Sequence, residues 1–120
     1  MKIHLFAIAV AFTVIVTVFV NSFVVSYNID RLTEAIETAP DDASDSEIYN
    51  EIFEDYLRRE KYLALSISHS DLHAIEDSLA ELIGAVAAGD DDTLIIAKSR
   101  VIRALSHIKR LAGVNIDSIF

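Results

Sequence analysis

The sequence contains no cysteine and no tryptophan, a single proline and three glycines. Without cysteine there is no disulfide, no thiolate metal ligand, no cysteine nucleophile and no thiol at a membrane junction to carry a lipid. So few glycines and prolines argue against an all-β design, which needs many tight turns. The phosphate-cradling and nucleophile signatures are missing too. There is no GxSxG, no Walker loop and no dinucleotide fingerprint, and Gly84 and Gly89 stand isolated. Paired carboxylates abound only because the chain is acidic. The expectation is a protein without catalytic activity and without a cofactor.

The most informative absence is of charge. Between Lys2 and Asp30 there is no Lys, Arg, Asp or Glu. Residues 3–25 read IHLFAIAVAFTVIVTVFVNSFVV, in which 15 of 23 are Ile, Leu, Val or Phe. At about 1.5 Å per residue the run reaches roughly 34 Å as a helix, enough to cross a hydrocarbon core of ~30 Å. At about −0.4 kcal/mol each, its large apolar residues supply roughly 6 kcal/mol towards insertion. The competing reading is a secretory signal cut after Val20-Asn21-Ser22. A signal core is shorter, about 7–15 residues, so an uncleaved anchor is expected. With Lys2 on one side and Asn28, Asp30 and Glu34 first on the other, the positive-inside tendency puts the N-terminus in the cytoplasm and the remainder outside.

The rest of the chain is polar. There are 19 acidic and 10 basic residues in all, and setting aside Lys2 leaves 9 basic, a net charge of −10. Such a domain is expected to repel nucleic acid and the surface of anionic lipid. The positive mean hydropathy of +0.38 comes mostly from the anchor.

The apolar spacing is helical throughout. Val25, Ile29, Leu32 and Ile36 carry the first helix past the membrane to about Ala39, where Pro40 and the PDDASD turn stop it. Ser44 or Asp45 caps a second helix, with Ile48, Ile52, Phe53, Tyr56, Leu63 and Ile67 on its apolar side. Tyr49, Phe53, Tyr56 and Tyr62 read as core and rim rather than as a ligand box. After Ser68 a third helix, from about Asp71 to Ala88, shows Leu72, Ile75, Leu79, Leu82 and Val86, a heptad seam. Gly89 ends it and Asp90-Asp91-Asp92 opens the last helix, from about Asp91 to Ala112, with Leu94, Val101, Leu105, Ile108 and Ala112 inside. Gly113 is expected to end that helix, and the apolar tail VNIDSIF to fold back onto the bundle. The fold class is therefore all-α: an N-terminal transmembrane helix (residues 1–26) followed by a small antiparallel three- or four-helix bundle (residues 27–120).

Charge is unevenly distributed. From Asp30 to Glu60 there are 11 acidic residues against 3 basic, and from Lys98 to Arg110 there are 5 basic and none acidic. Two solvated faces attracting across the bundle explain this; the rival is a basic docking stripe for an acidic partner.

Leu63 to Asp92, LALSISHSDLHAIEDSLAELIGAVAAGDDD, and the ending KSRVIRALSHIKRLAGVNIDSIF resemble the bacterial domain of unknown function family numbered 4363. The words that carry the resemblance are His69-x-Asp71-Leu72, Ile75-Glu76-x-Ser78-Leu79 and Ile116-x-x-Ile119-Phe120. The Pro40 turn and the acidic run after it look less typical of that family. The resemblance implies one anchor followed by a helical domain. It carries no activity, cofactor or site residue.

One cluster has ligand chemistry. His69, His73 and Glu76 succeed one another at spacings of four and three, on one helix face, where two imidazoles and a carboxylate suit Zn²⁺ or another divalent cation. The functional expectation is a membrane-anchored extracytoplasmic interaction or sensor module, meeting a protein partner or itself through helix faces. The alternative is a metal- or small-ligand-binding domain on His69, His73 and Glu76.

Overall fold

The computed structural model describes residues 2–117. Four helices succeed one another: α1 (Lys2–Thr38), α2 (Ser46–Leu63), α3 (His69–Ala88) and α4 (Asp91–Asp117). Each packs on its sequence neighbours, and α4 closes against α1. The partners at each contact fix the directions. Asn28 meets Arg59, Glu81 meets Arg100, and Ser22 meets Ala112, so all neighbouring helices run antiparallel. This is the up-down-up-down square that short connections favour.

The stripes read from spacing form the core, except that Ile48, Phe53 and Ile67, expected on the inner side of the second helix, are only half-buried and Ile67 lies beyond its end. Val25, Ile29, Leu32 and Ile36 of α1, Leu94, Val101, Leu105 and Ile108 of α4 and the seam of α3 are all buried in one cluster. α2 adds Tyr49, Ile52, Tyr56 and Leu63. It is held more loosely than the others. Side-chain size sets interaxial distance, and two buried tyrosines keep α2 away from its neighbours.

Each helix end has a chemical cause. Asp45 caps α2 by accepting from the Ile48 N–H at 3.2 Å. Ser68 accepts from the Asp71 N–H at 3.1 Å, so α3 begins at His69, two residues earlier than its apolar spacing indicates. At its other end Gly89 takes φ +67°, and the N–H groups of Gly89 and Asp90 bond the carbonyls of Val86 and Ala85. That pair of bonds is a Schellman cap. Asp90 then caps α4, accepting from the Thr93 N–H at 3.1 Å and its hydroxyl at 2.6 Å. Those bonds hold the Asp90 carboxyl below its ordinary range.

The far end of α4 departs from expectation. The helix does not stop at Gly113; it continues to Asp117, so residues 114–117 do not turn back as a tail. Residues 118–120 of the expected tail lie outside the described residues. A glycine ends a helix when it adopts the left-handed conformation, and among the described glycines only Gly89 does so. No proline comes after Gly113, and α1 runs alongside to Ser22, giving the last turns a surface to pack on. Two glycine substitutions should therefore act with opposite signs. Gly113→Ala should stabilise the bundle by about 1 kcal/mol, since a Cβ there meets nothing within 4 Å and a helix interior favours alanine. Gly89→Ala should destabilise it by about 1–2 kcal/mol, because its φ is left-handed. Chemical unfolding monitored by circular dichroism measures both. A loss of stability at Gly113 would mean that the helix ends there after all.

The first part of α1 stands apart. No residue from 2 to 21 is buried, and the bundle begins at Ser22, four residues inside the anchor boundary drawn from composition. Thr13 and Thr17 return their hydroxyls to the carbonyls of Ala9 and Thr13, both at 2.8 Å. One helix thus leaves the bundle as an apolar rod, and the molecule is 68 Å long and 23 × 22 Å across.

Candidate functional site

The ligand-type residues gather where α2 turns into α3. His69 and His73 sit one turn apart and their rings meet edge to face, with centroids 4.6 Å apart and planes at 84°. His73 Nδ1 lies 3.7 Å from Glu76 Oε2, too long for a hydrogen bond. Neighbours in the trio therefore touch in pairs. Among the described residues, however, no three His, Cys, Asp or Glu side chains converge as a group that could hold a metal ion.

Glu76 has other company. The Tyr56 hydroxyl donates to Glu76 Oε1 at 3.3 Å and to the Leu72 carbonyl at 3.4 Å. Burial pushes the Tyr56 phenol far above its ordinary range, and the nearby Glu76 and Glu60 carboxylates push the same way. Tyr56 stays a neutral donor. Glu60 shares a hydrogen bond with Glu76, and this contact first, then desolvation and like-charge repulsion, raises its carboxyl above the usual range. His69 and His73 pull the other way. Spacing along one helix does not single out Tyr56 and Glu60 as site members. The signal lies in the hairpin register: Glu60 and Glu76 stand eight residues either side of Ser68, so a turn there brings them face to face.

This carboxyl pair sets a pH dependence. A carboxyl raised in the folded state binds its proton more tightly there than in the unfolded chain, so Glu60's contribution to stability is fully present below the unfolded value of 4.5 and is lost as pH rises through the folded one. Glu60→Gln should raise the neutral-pH melting temperature and flatten its decline above pH 4.5. Melts of both proteins at several pH values check this; parallel curves would show that the pair does not govern the decline.

Elsewhere the polar groups serve structure. Arg59 bridges Asp55 and Asn28 at 2.9 Å each, tying α2 to α1 just below the apolar rod. Asn28 also donates to the Val24 carbonyl, Ser22 to the Ala112 carbonyl, and Ser66 to Asn21. At the far end, buried Lys98 reaches the Ala39 carbonyl at 2.6 Å and Asp41 at 2.8 Å, while Asp91 accepts from the Ala43 N–H. Lys109 pairs with Asp30 at 2.7 Å and Arg100 with Glu81 at 2.8 Å. Three of the five cations between Lys98 and Arg110 are thus paired within the chain, which favours mutual attraction over a docking stripe. The two exposed pairs, Lys109–Asp30 and Arg100–Glu81, contribute ~0–1 kcal/mol each and choose an arrangement more than they stabilise it. No family model matches the chain, and neither a curated protein nor a solved structure is similar to it.

Proposed function

We propose that the chain is a single-pass membrane protein that carries a rigid helical bundle outside the cytoplasm as an interaction or sensor module, with its N-terminus in the cytoplasm. The observation that carries this reading is the continuity of α1. From Ile3 to Asn21 it carries no Lys, Arg, Asp or Glu and buries no residue, and the next turns supply one wall of the core. Twenty residues span ~30 Å, the thickness of a hydrocarbon core. An uncleaved anchor is further supported by Ser22 and Val25, which are packed in the bundle. A cut after Ser22 would fall inside a helix that the domain uses. A non-catalytic role is supported by the use made of buried polar groups: Asn28, Ser22 and Lys98 all bind backbone carbonyls. Membership of the family numbered 4363 belongs to this proposal, as it implies the same layout.

The chain has no cysteine, so introduced ones report cleanly. In intact cells an impermeant maleimide should label Ser44→Cys, and should reach Lys2→Cys only after permeabilisation. Labelling in the reverse pattern overturns the orientation, and a mature chain beginning at Phe23 overturns the anchor. Crosslinking in membranes should capture a partner or a second copy; a chain that crosslinks to nothing would count against an interaction role.

A second reading, metal binding by His69, His73 and Glu76, has the edge-to-face His pair in its favour. Stoichiometric zinc in the purified protein, lost in His73→Ala, would establish it.

A further inference from the structure

The gap between α1 and α2 opens at the level where the apolar rod enters the bundle. Its lower part, about 570 Å³, is bordered by Tyr27, Arg58, Arg59, Lys61 and Tyr62. Its upper part, about 400 Å³, is bordered by Val16, Val20 and Leu65. Val24 and Tyr62 border both, so the two parts join. One end is cationic and aromatic, the other apolar. We propose that this neck cleft binds one anionic phospholipid of the membrane that α1 spans, its phosphate beside Arg58 and Lys61 and an acyl chain along Val16 and Val20. The proposal rests on the membrane-spanning reading above.

The charges favour that occupant. Three cations border the lower part against a single carboxylate, Asp55. Arg59 engages Asp55 at 2.9 Å, leaving Arg58 a longer contact of 3.5 Å with a side chain 70% exposed. Lys61 has no carboxylate partner among the described residues; its ammonium lies 5.2 Å over the Tyr62 ring. Cations next to tyrosines are what an anionic interface recruits.

The depth agrees. Phe23 and Val24, which also border the lower part, come two and three residues after Asn21, the end of the twenty-residue span. That is roughly 3–5 Å along the axis, inside a headgroup layer of roughly 5–7 Å on each side of the hydrocarbon. Leu65, on the turn between α2 and α3, is 84% exposed. In water that exposure is costly, whereas beside an acyl chain it is favourable.

The net acidity of the domain does not oppose this. Asp41, Asp42, Asp45 and Asp90 lie in the connections at the opposite end of the bundle, and Asp91 and Asp92 in the first turn of α4 there. Repulsion from an anionic surface then keeps that end away from the lipid while the neck meets it.

The test uses the full chain in nanodiscs of phosphatidylcholine with a minor share of phosphatidylglycerol, released into mild detergent for native mass spectrometry. The chain should retain phosphatidylglycerol in preference to phosphatidylcholine. Arg58→Ala with Lys61→Ala should lower that preference roughly fivefold for each charge removed, while Arg103→Ala, on the exposed side of α4, leaves it unchanged. Inorganic phosphate at millimolar concentration should not displace the lipid. Equal retention of the two lipids, an equal loss in Arg103→Ala, or displacement by phosphate each overturns the proposal. An integral chain without lipid preference defeats this site alone. A chain that carbonate strips from vesicles defeats the anchor as well.

Discussion

Val10→Arg combined with Val14→Arg should release the chain from membranes and leave its bundle folded. The two positions are one helical turn apart near the middle of the apolar run, where lipid is thickest around them. Each arginine costs about 2.5–3.5 kcal/mol at the centre of a spanning helix. Together with the two lost valines this cancels the roughly 6 kcal/mol by which the native stretch favours insertion. The bundle does not depend on these residues: none from 2 to 21 is buried, and the core starts with Ser22 and Val25. Carbonate extraction should therefore move the double variant to the soluble fraction, with a melting transition close to that of the native domain. Continued resistance to carbonate would show that something other than this helix holds the chain. A variant that is both soluble and unfolded would show that the rod and the bundle are one cooperative unit.

That separation explains which parts of the molecule are legible in the sequence. Helix faces are readable because burial has a period of about 3.6 residues. The seam from Leu72 to Val86 and the stripe from Val25 to Ile36 are buried residue for residue. Caps are readable where a side chain does the capping, as at Asp45 and Ser68. Gly113 misleads because a glycine carries two meanings, a stop or a tolerated interior residue, and the choice between them lies in packing against α1 at Ser22. Lys98 belongs by composition to an exposed basic stretch, yet the carbonyl of Ala39 and the carboxylate of Asp41 draw it inside. The pairing of Glu60 with Glu76 and the cleft beside Tyr27 and Lys61 depend on which helices are neighbours. Periodicity along one helix contains no information about that.

Tyr56→Ala is expected to cost about 3–5 kcal/mol, the range for truncating a large buried aromatic. Out of a total stability of about 5–15 kcal/mol for a domain of this kind, that is a large fraction. Tyr56 is 0% exposed and fills the space that separates α2 from α3. Tyr56→Phe keeps the ring and removes only a hydroxyl whose contacts, at 3.3 and 3.4 Å, are long. It should cost less than about 1 kcal/mol. The comparison therefore isolates packing from hydrogen bonding. The damage should also be local. α2 has just four buried side chains, Tyr49, Ile52, Tyr56 and Leu63, whereas α3 packs on α4 and α4 on α1 without it. Hydrogen exchange in Tyr56→Ala should accelerate across residues 46–63 before it does so in α3 or α4. If instead all four helices lose protection together, α2 is a full partner in the core, and the loose packing that opens the cleft beside it would need another cause.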